Sequence, residues 1–119
     1  MALGLPFLFL FGTAWAAKPA PTENLQAAQQ AIANAERVDA AVNSAVELGE
    51  ARNKLALATA AVSDKKMVVA QRLADESRAE AELAAARSTA AKASAVNNDM
   101  KRSTSTLIDE MQRKTGESK

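Results

Sequence analysis

Residues 44–86 read SAVELGEARNKLALATAAVSDKKMVVAQRLADESRAEAELAAA, and this stretch decides the fold. Leu48, Ala51, Leu55, Ala58 and Val62 recur at alternating three- and four-residue steps. Such spacing puts all five on one face of an α-helix. Ser63-Asp64-Lys65-Lys66 is polar and lies between two apolar stretches, which marks a turn. Beyond it Ala70, Leu73, Ala74, Ser77, Ala81 and Ala84 line one side of a second helix. Arg72, Asp75, Glu76, Arg78, Glu80 and Glu82 take the other side, as a solvated charged face does. Two helices joined by a short turn predict an antiparallel hairpin. Its helix-packing stripe is Leu48, Ala51, Leu55, Ala58, Val62, Ala70, Leu73 and Ala74.

Local signals refine the start of this hairpin. Ser44 and Glu47 have the spacing of a capping box, in which each side chain bonds the other residue's free backbone N–H. Glu50 and Lys54 stand four apart in the favoured order for an intrahelical ion pair. Gly49 in the first turn reads as a point where another helix comes close.

Upstream, Leu25, Ala28, Ile32 and Ala35 mark a further helix over about 23–40, packed across the hairpin. Thr22 is its expected N-cap, with Glu23 in the first turn. The pattern leaves open whether residues 38–43 turn or stay helical. The first hairpin helix is expected over 45–62. Downstream, neither proline nor glycine occurs until Gly116, so the second is expected to run over 64–112. That helix overhangs its partners. Val96, Met100, Ser103, Leu107 and Met111 form a narrow heptad-like seam on it. The upstream helix is too short to cover this seam, so Val96, Met100, Leu107 and Met111 are the candidate association seam. Gly116 is the expected stop, and residues 114–119 the expected disordered tail. The helical domain thus spans 23–113.

The N-terminal residues read as an address. Ala2 to Trp15 is a nearly continuous apolar run ending in Ala14-Trp15-Ala16, a small-x-small pattern that fits signal-peptidase cleavage after Ala16. The run is shorter than the ~20 apolar residues of a membrane-spanning helix. Residues 1–16 are therefore expected to be a signal peptide, and 17–22, with Pro19 and Pro21, an extended linker.

Composition narrows the function. The chain has 119 residues, 29 of them alanine, and neither cysteine nor histidine. Disulfides, thiolate chemistry, Cys/His zinc sites and imidazole catalysis are thereby excluded. All four aromatics, Phe7, Phe9, Phe11 and Trp15, lie in the address segment. The remainder lacks the rings that line most ligand pockets or stack nucleobases. Fifteen Lys+Arg against 14 Asp+Glu leaves a net charge of +1, with no bulk field for nucleic acid. Paired acids such as Asp75-Glu76 and Asp109-Glu110 point in different directions on a helix and do not converge. No catalytic, cofactor-binding or metal-binding residue is expected, and no cofactor.

Ser44-Ala45-Val46-Glu47-Leu48, Ala51-Arg52-Asn53-Lys54-Leu55, Ala70-Gln71-Arg72-Leu73-Ala74 and Ala79-Glu80-Ala81-Glu82-Leu83-Ala84 together resemble the DUF4398 family of small bacterial exported proteins. The resemblance covers about two-thirds of the chain beyond the signal, counting the upstream helix. It implies a cell-envelope location and a helical hairpin of repeat-like character. Members often carry a lipidated cysteine or precede a peptidoglycan-binding domain; with no cysteine here, lipid anchoring is not carried over. The family supplies no catalytic residues.

The expected architecture is all-α: an antiparallel helical hairpin, an additional N-terminal helix and a long, partly overhanging C-terminal helix. The expected function is a non-catalytic periplasmic or envelope protein. It would act by helix–helix association with itself, as a homo-oligomer, or with an envelope protein. The alternative is an uncleaved, membrane-tethered helical spacer; membrane association is expected only in that case.

Overall fold

The structure, a computed structural model, describes residues 19–117. The expected signal, its cleavage point, the start of the linker and residues 118–119 lie outside them. The described residues form helices α1 (Thr22–Arg37), α2 (Ala40–Asn43), α3 (Ala45–Ser63) and α4 (Met67–Glu117), with no strand among them. The fold is all-α, with the long C-terminal helix the sequence predicts. Alanine loses no side-chain entropy in a helix, so an alanine-rich chain without internal proline takes this course.

The core is made of very small side chains. On α4 Ala70, Ala74, Ser77, Ala81, Ala84 and Ser88 are buried, at steps of four and three residues. Leu48, Ala51, Ala58 and Ala61 face them from α3, and Ala28, Ile32 and Ala35 from α1. Side chains this short let helix backbones come close, so that dispersion between backbones replaces large interlocking side chains. Leu48 is the one described side chain larger than alanine or serine that is fully buried.

Cross-helix contacts fix the directions. Lys54 meets Glu76 at 3.8 Å, the Ser77 hydroxyl donates to the Ala51 carbonyl at 2.6 Å, and Glu47 pairs with Arg87. Rising numbers on α4 match falling numbers on α3, so these two are antiparallel. Asn24 donates to Asp75 at 2.7 Å, and Lys92 pairs with Asp39 at 2.8 Å, so α1 runs parallel to α4. Arg52 and Glu36, 2.6 Å apart, join α3 to α1. The result is a three-helix bundle that ends near Lys92, with the rest of α4 projecting beyond it.

The chain turns from α1 into α3 through a sharp elbow. The helix expected to residue 40 ends at Arg37. The Val38 N–H is shared between the Asn34 and Ala35 carbonyls, and Asp39 adopts φ 64°, the left-handed region. Aspartate tolerates that region better than most residues. Its carboxylate, turned outward, pairs with Lys92. The single turn of α2 then leads into α3.

At the other end α4 begins at Met67, not at residue 64. The Lys66 N–H bonds the Ala61 carbonyl and the Lys65 N–H the Val62 carbonyl, with Lys65 at φ 57°. This is a Schellman closure, which spends residues 64–66 on satisfying the last carbonyls of α3.

Both expected caps are corrected. Thr22 is the first residue of α1, and its hydroxyl points back to the Ala20 carbonyl. Ser44 precedes α3, but its buried hydroxyl makes no capping bond and has no partner. The capping box does not form because the elbow turns Ser44 inward and Arg87 takes the Glu47 carboxylate. Lys54 likewise reaches across to α4 instead of back to Glu50. The close approach expected at Gly49 is also overturned. Gly49 is exposed, and a Cβ built there meets nothing within 4 Å. Gly49→Ala is therefore expected to stabilise the bundle by about 0.5–1 kcal/mol in urea denaturation, through helix propensity alone.

The expected tail is helical as far as the structure describes it. The Thr115 hydroxyl donates to the Met111 carbonyl at 2.8 Å, and α4 passes through Gly116. Gly116 lacks the positive φ of a terminating glycine, so it weakens the helix without ending it.

Candidate functional surface

The two halves of α4 have different surroundings. From Met67 to Lys92 it is flanked by α1 and α3. Every described residue after Ser88 is exposed. Residues 93–117 make an arm about 37 Å long, given a rise of 1.5 Å per residue.

Five large apolar side chains are exposed on the arm, while Val42, Val46, Leu57, Val68, Val69 and Leu83 are exposed on the bundle. Val96 is 59% exposed, Met100 63%, Leu107 61%, Ile108 49% and Met111 61%. Extending the buried repeat of α4 past Ser88 gives Ala91, Ala95, Asn98, Arg102, Ser105 and Asp109, which is polar from Asn98 onward. The apolar seam lies about 100° around the helix from the buried stripe of Ala70 to Ser88, at 100° per residue. The shift is toward the side of α4 on which Asp75 and Lys92 meet α1.

The structure places the sequence-predicted residues as follows. Leu48, Ala51, Ala58, Ala70 and Ala74 are buried in the bundle. Leu55 is half-buried and packs against the core, and Leu73 is half-buried on α4. Val62 is only half-buried; Ala61, one residue earlier, takes the buried position, as a step of three from Ala58 requires. Val96, Met100, Leu107 and Met111 all lie on the arm, away from the bundle stripe.

Ser88 and Ala40 are buried positions that the sequence reading did not single out. Ser88 was legible as the next four-residue step after Ala84. Its hydroxyl donates to the Val38 carbonyl and accepts from the Asn43 amide at 3.2 Å. It thereby closes the elbow against α4 and satisfies a carbonyl that the break in α1 leaves free.

The charged side chains frame the bundle. Lys54 sits between Glu80 at 3.3 Å and Glu76 at 3.8 Å, so these acids, expected to face solvent, hold α3 to α4. Each such half-exposed pair contributes little, ~0–1 kcal/mol, and mainly sets register. The buried Ser77 and Ser88 hydroxyls both donate to backbone carbonyls, and neither faces a general base. Among the described residues no group of three or more His, Cys, Asp or Glu could hold a metal ion. No described helix is long and apolar enough to cross a membrane. What distinguishes this molecule is a surface, the seam of the arm.

A family model described as a domain of unknown function, DUF4398, matches residues 23–100. The match takes in the whole bundle and the first turns of the arm. No curated protein and no solved structure matches the chain. The chain belongs to the DUF4398 family.

Proposed function

We propose that this member of the DUF4398 family is a non-catalytic protein of the periplasm or cell envelope that works by helix–helix association. In this reading the bundle is the scaffold and the arm is the working part. The observation that carries it is the exposure of Val96, Met100, Leu107 and Met111 along one line of the arm, where no other helix of the chain lies. Scattered exposed aliphatics need no explanation, but a contiguous apolar line on a helix is the usual mark of a helix partner. The address-like residues 1–16 support export, and the envelope character of the family resemblance agrees with it.

Leu107→Asp tests this reading. Cross-linking in intact cells is expected to give adducts for the parent chain and at least tenfold fewer for the variant. An unchanged adduct pattern would remove the arm from the association. Folding is not at issue, because Leu107 touches no part of the bundle.

One observation favours the spacer as a second reading. Asn24, at the start of α1, lies beside Asp75, near the opposite end of α4 from the arm. A membrane-held N terminus would therefore set Glu117 about 75 Å out, along the full length of α4. Intact mass separates the two. A chain starting at Ala17 in the soluble periplasmic fraction supports the first reading, and the full-length mass in the membrane fraction supports the second.

A further inference from the structure

We propose that the occupant of the arm is a second copy of this chain, lying antiparallel, with a two-fold axis between Ser103 and Thr104. The proposal rests on the reading of the arm as an association surface and names its partner.

The first support is the symmetry of the seam. Val96 and Met111 are equally distant in sequence from the midpoint of Ser103 and Thr104, and so are Met100 and Leu107. A two-fold axis at that midpoint brings Val96 level with Met111 of the second copy, and Met100 level with Leu107. An isologous contact must be self-complementary in this way. Ser103 and Thr104, small for their place in the seam, fall at the axis, where two helices cross most closely.

Charge supplies the second support. In this register each charged residue of the arm comes level with an uncharged one of the other copy: Asp99 with Ile108, Lys101 with Thr106, Glu110 with Asn97. A parallel, in-register pair would set every charge level with its own like. Asp99 pairs with Arg102 and Glu110 with Arg113 within the arm itself, so these four charges keep their partners on association.

The third support is the failure of intramolecular cover. α1 stops at the Asp39 elbow, and the lane that the bundle uses on α4 turns polar at Asn98 and Arg102. The chain turns back at that elbow, and every described residue of α4 beyond Ser88 is exposed, so no helix of its own chain covers the seam. The area is also adequate. The five exposed side chains offer roughly 1,000 Å² over two copies, near the low end for a specific interface, which predicts a concentration-dependent dimer.

The chain has no cysteine, so introduced ones are unambiguous reporters. Sedimentation velocity of the purified chain is expected to show a monomer–dimer equilibrium in the micromolar range. Leu107→Asp is expected to weaken it at least tenfold, with an unchanged far-ultraviolet spectrum. Mixing Val96→Cys and Met111→Cys variants under mild oxidation is expected to give the mixed disulfide several-fold more than either variant forms with itself. Two results overturn the proposal. One is a Val96→Cys homodisulfide as abundant as the mixed species, which means parallel pairing. The other is a monomer at all concentrations up to several hundred micromolar. In that second case, a photo-cross-linker at position 107 that captures a different protein in cells would leave the association reading standing; no capture would remove both.

Discussion

Ala81→Leu is expected to destabilise the bundle by about 3 kcal/mol, enough to leave a substantial fraction unfolded at 37 °C. Ala81 is fully buried at the level where α1, α3 and α4 meet, in one cluster with Ile32, Ala35, Leu48 and Ala51. A leucine there has no void to enter. It must push two helices off α4, and the neighbouring alanines then lose contact together. The control is Ala86→Leu, at an exposed position of the same helix, which is expected to change stability by less than ~0.5 kcal/mol. Urea denaturation followed by circular dichroism reads both. Equal effects at the two positions would mean that packing across this stripe is not close.

The opposite change, Leu48→Ala, is expected to cost about 2–5 kcal/mol. Leu48 is 1% exposed and anchors the start of α3 against the elbow. Removing it leaves a cavity that the surrounding alanines cannot fill, because they have no rotamers to shift. For a domain of this size, the loss corresponds to a fall in Tm of at least ~10 °C. Leu57→Ala, on the half-exposed outer face of α3, is the comparison. A larger loss at Leu57 than at Leu48 would invert the assignment of inner and outer faces.

The two expectations share a cause. A bundle built on alanine and serine has little hydrophobic area to spare, and its stability depends on how close the backbones lie. Sensitivity is then concentrated in a few positions. The arm, which touches nothing in its own chain, tolerates substitution without loss of the fold. Scaffold and working surface are thus separable by mutation, which makes the tests of the seam readable.

Much of this was legible in the residues. The four-three repeats of α3 and α4 decided the helix type, the burial of Ala51, Ala58, Ala70 and Ala74, and the hairpin between them. The absence of proline and glycine between the 63–66 turn and Gly116 set the length of α4. Periodicity is a property of one helix at a time, so it needs no partner to be read. Local side-chain signals fared worse. Ser44-x-x-Glu47 has the spacing of a cap, yet Arg87 lies forty residues away and takes the carboxylate. Glu50 and Lys54 have the spacing of an ion pair, yet Glu80 competes for the ammonium group. Such short-range preferences are worth tenths of a kcal/mol to about one, and a tertiary contact outweighs them.

By itself the sequence determined an all-helical chain, the hairpin of α3 and α4, and a long last helix with a separate apolar line on its distal half. It did so because alanine content and apolar spacing act residue by residue along a single backbone. Only the tertiary structure decided the parallel run of α1 beside α4, the left-handed break at Asp39, the burial of Ser88 against that break, and the point near Lys92 at which cover ends. Each of these depends on which groups far apart in sequence meet. A free carbonyl at Val38 and a hydroxyl at Ser88 have no reason to pair until two helices bring them within reach.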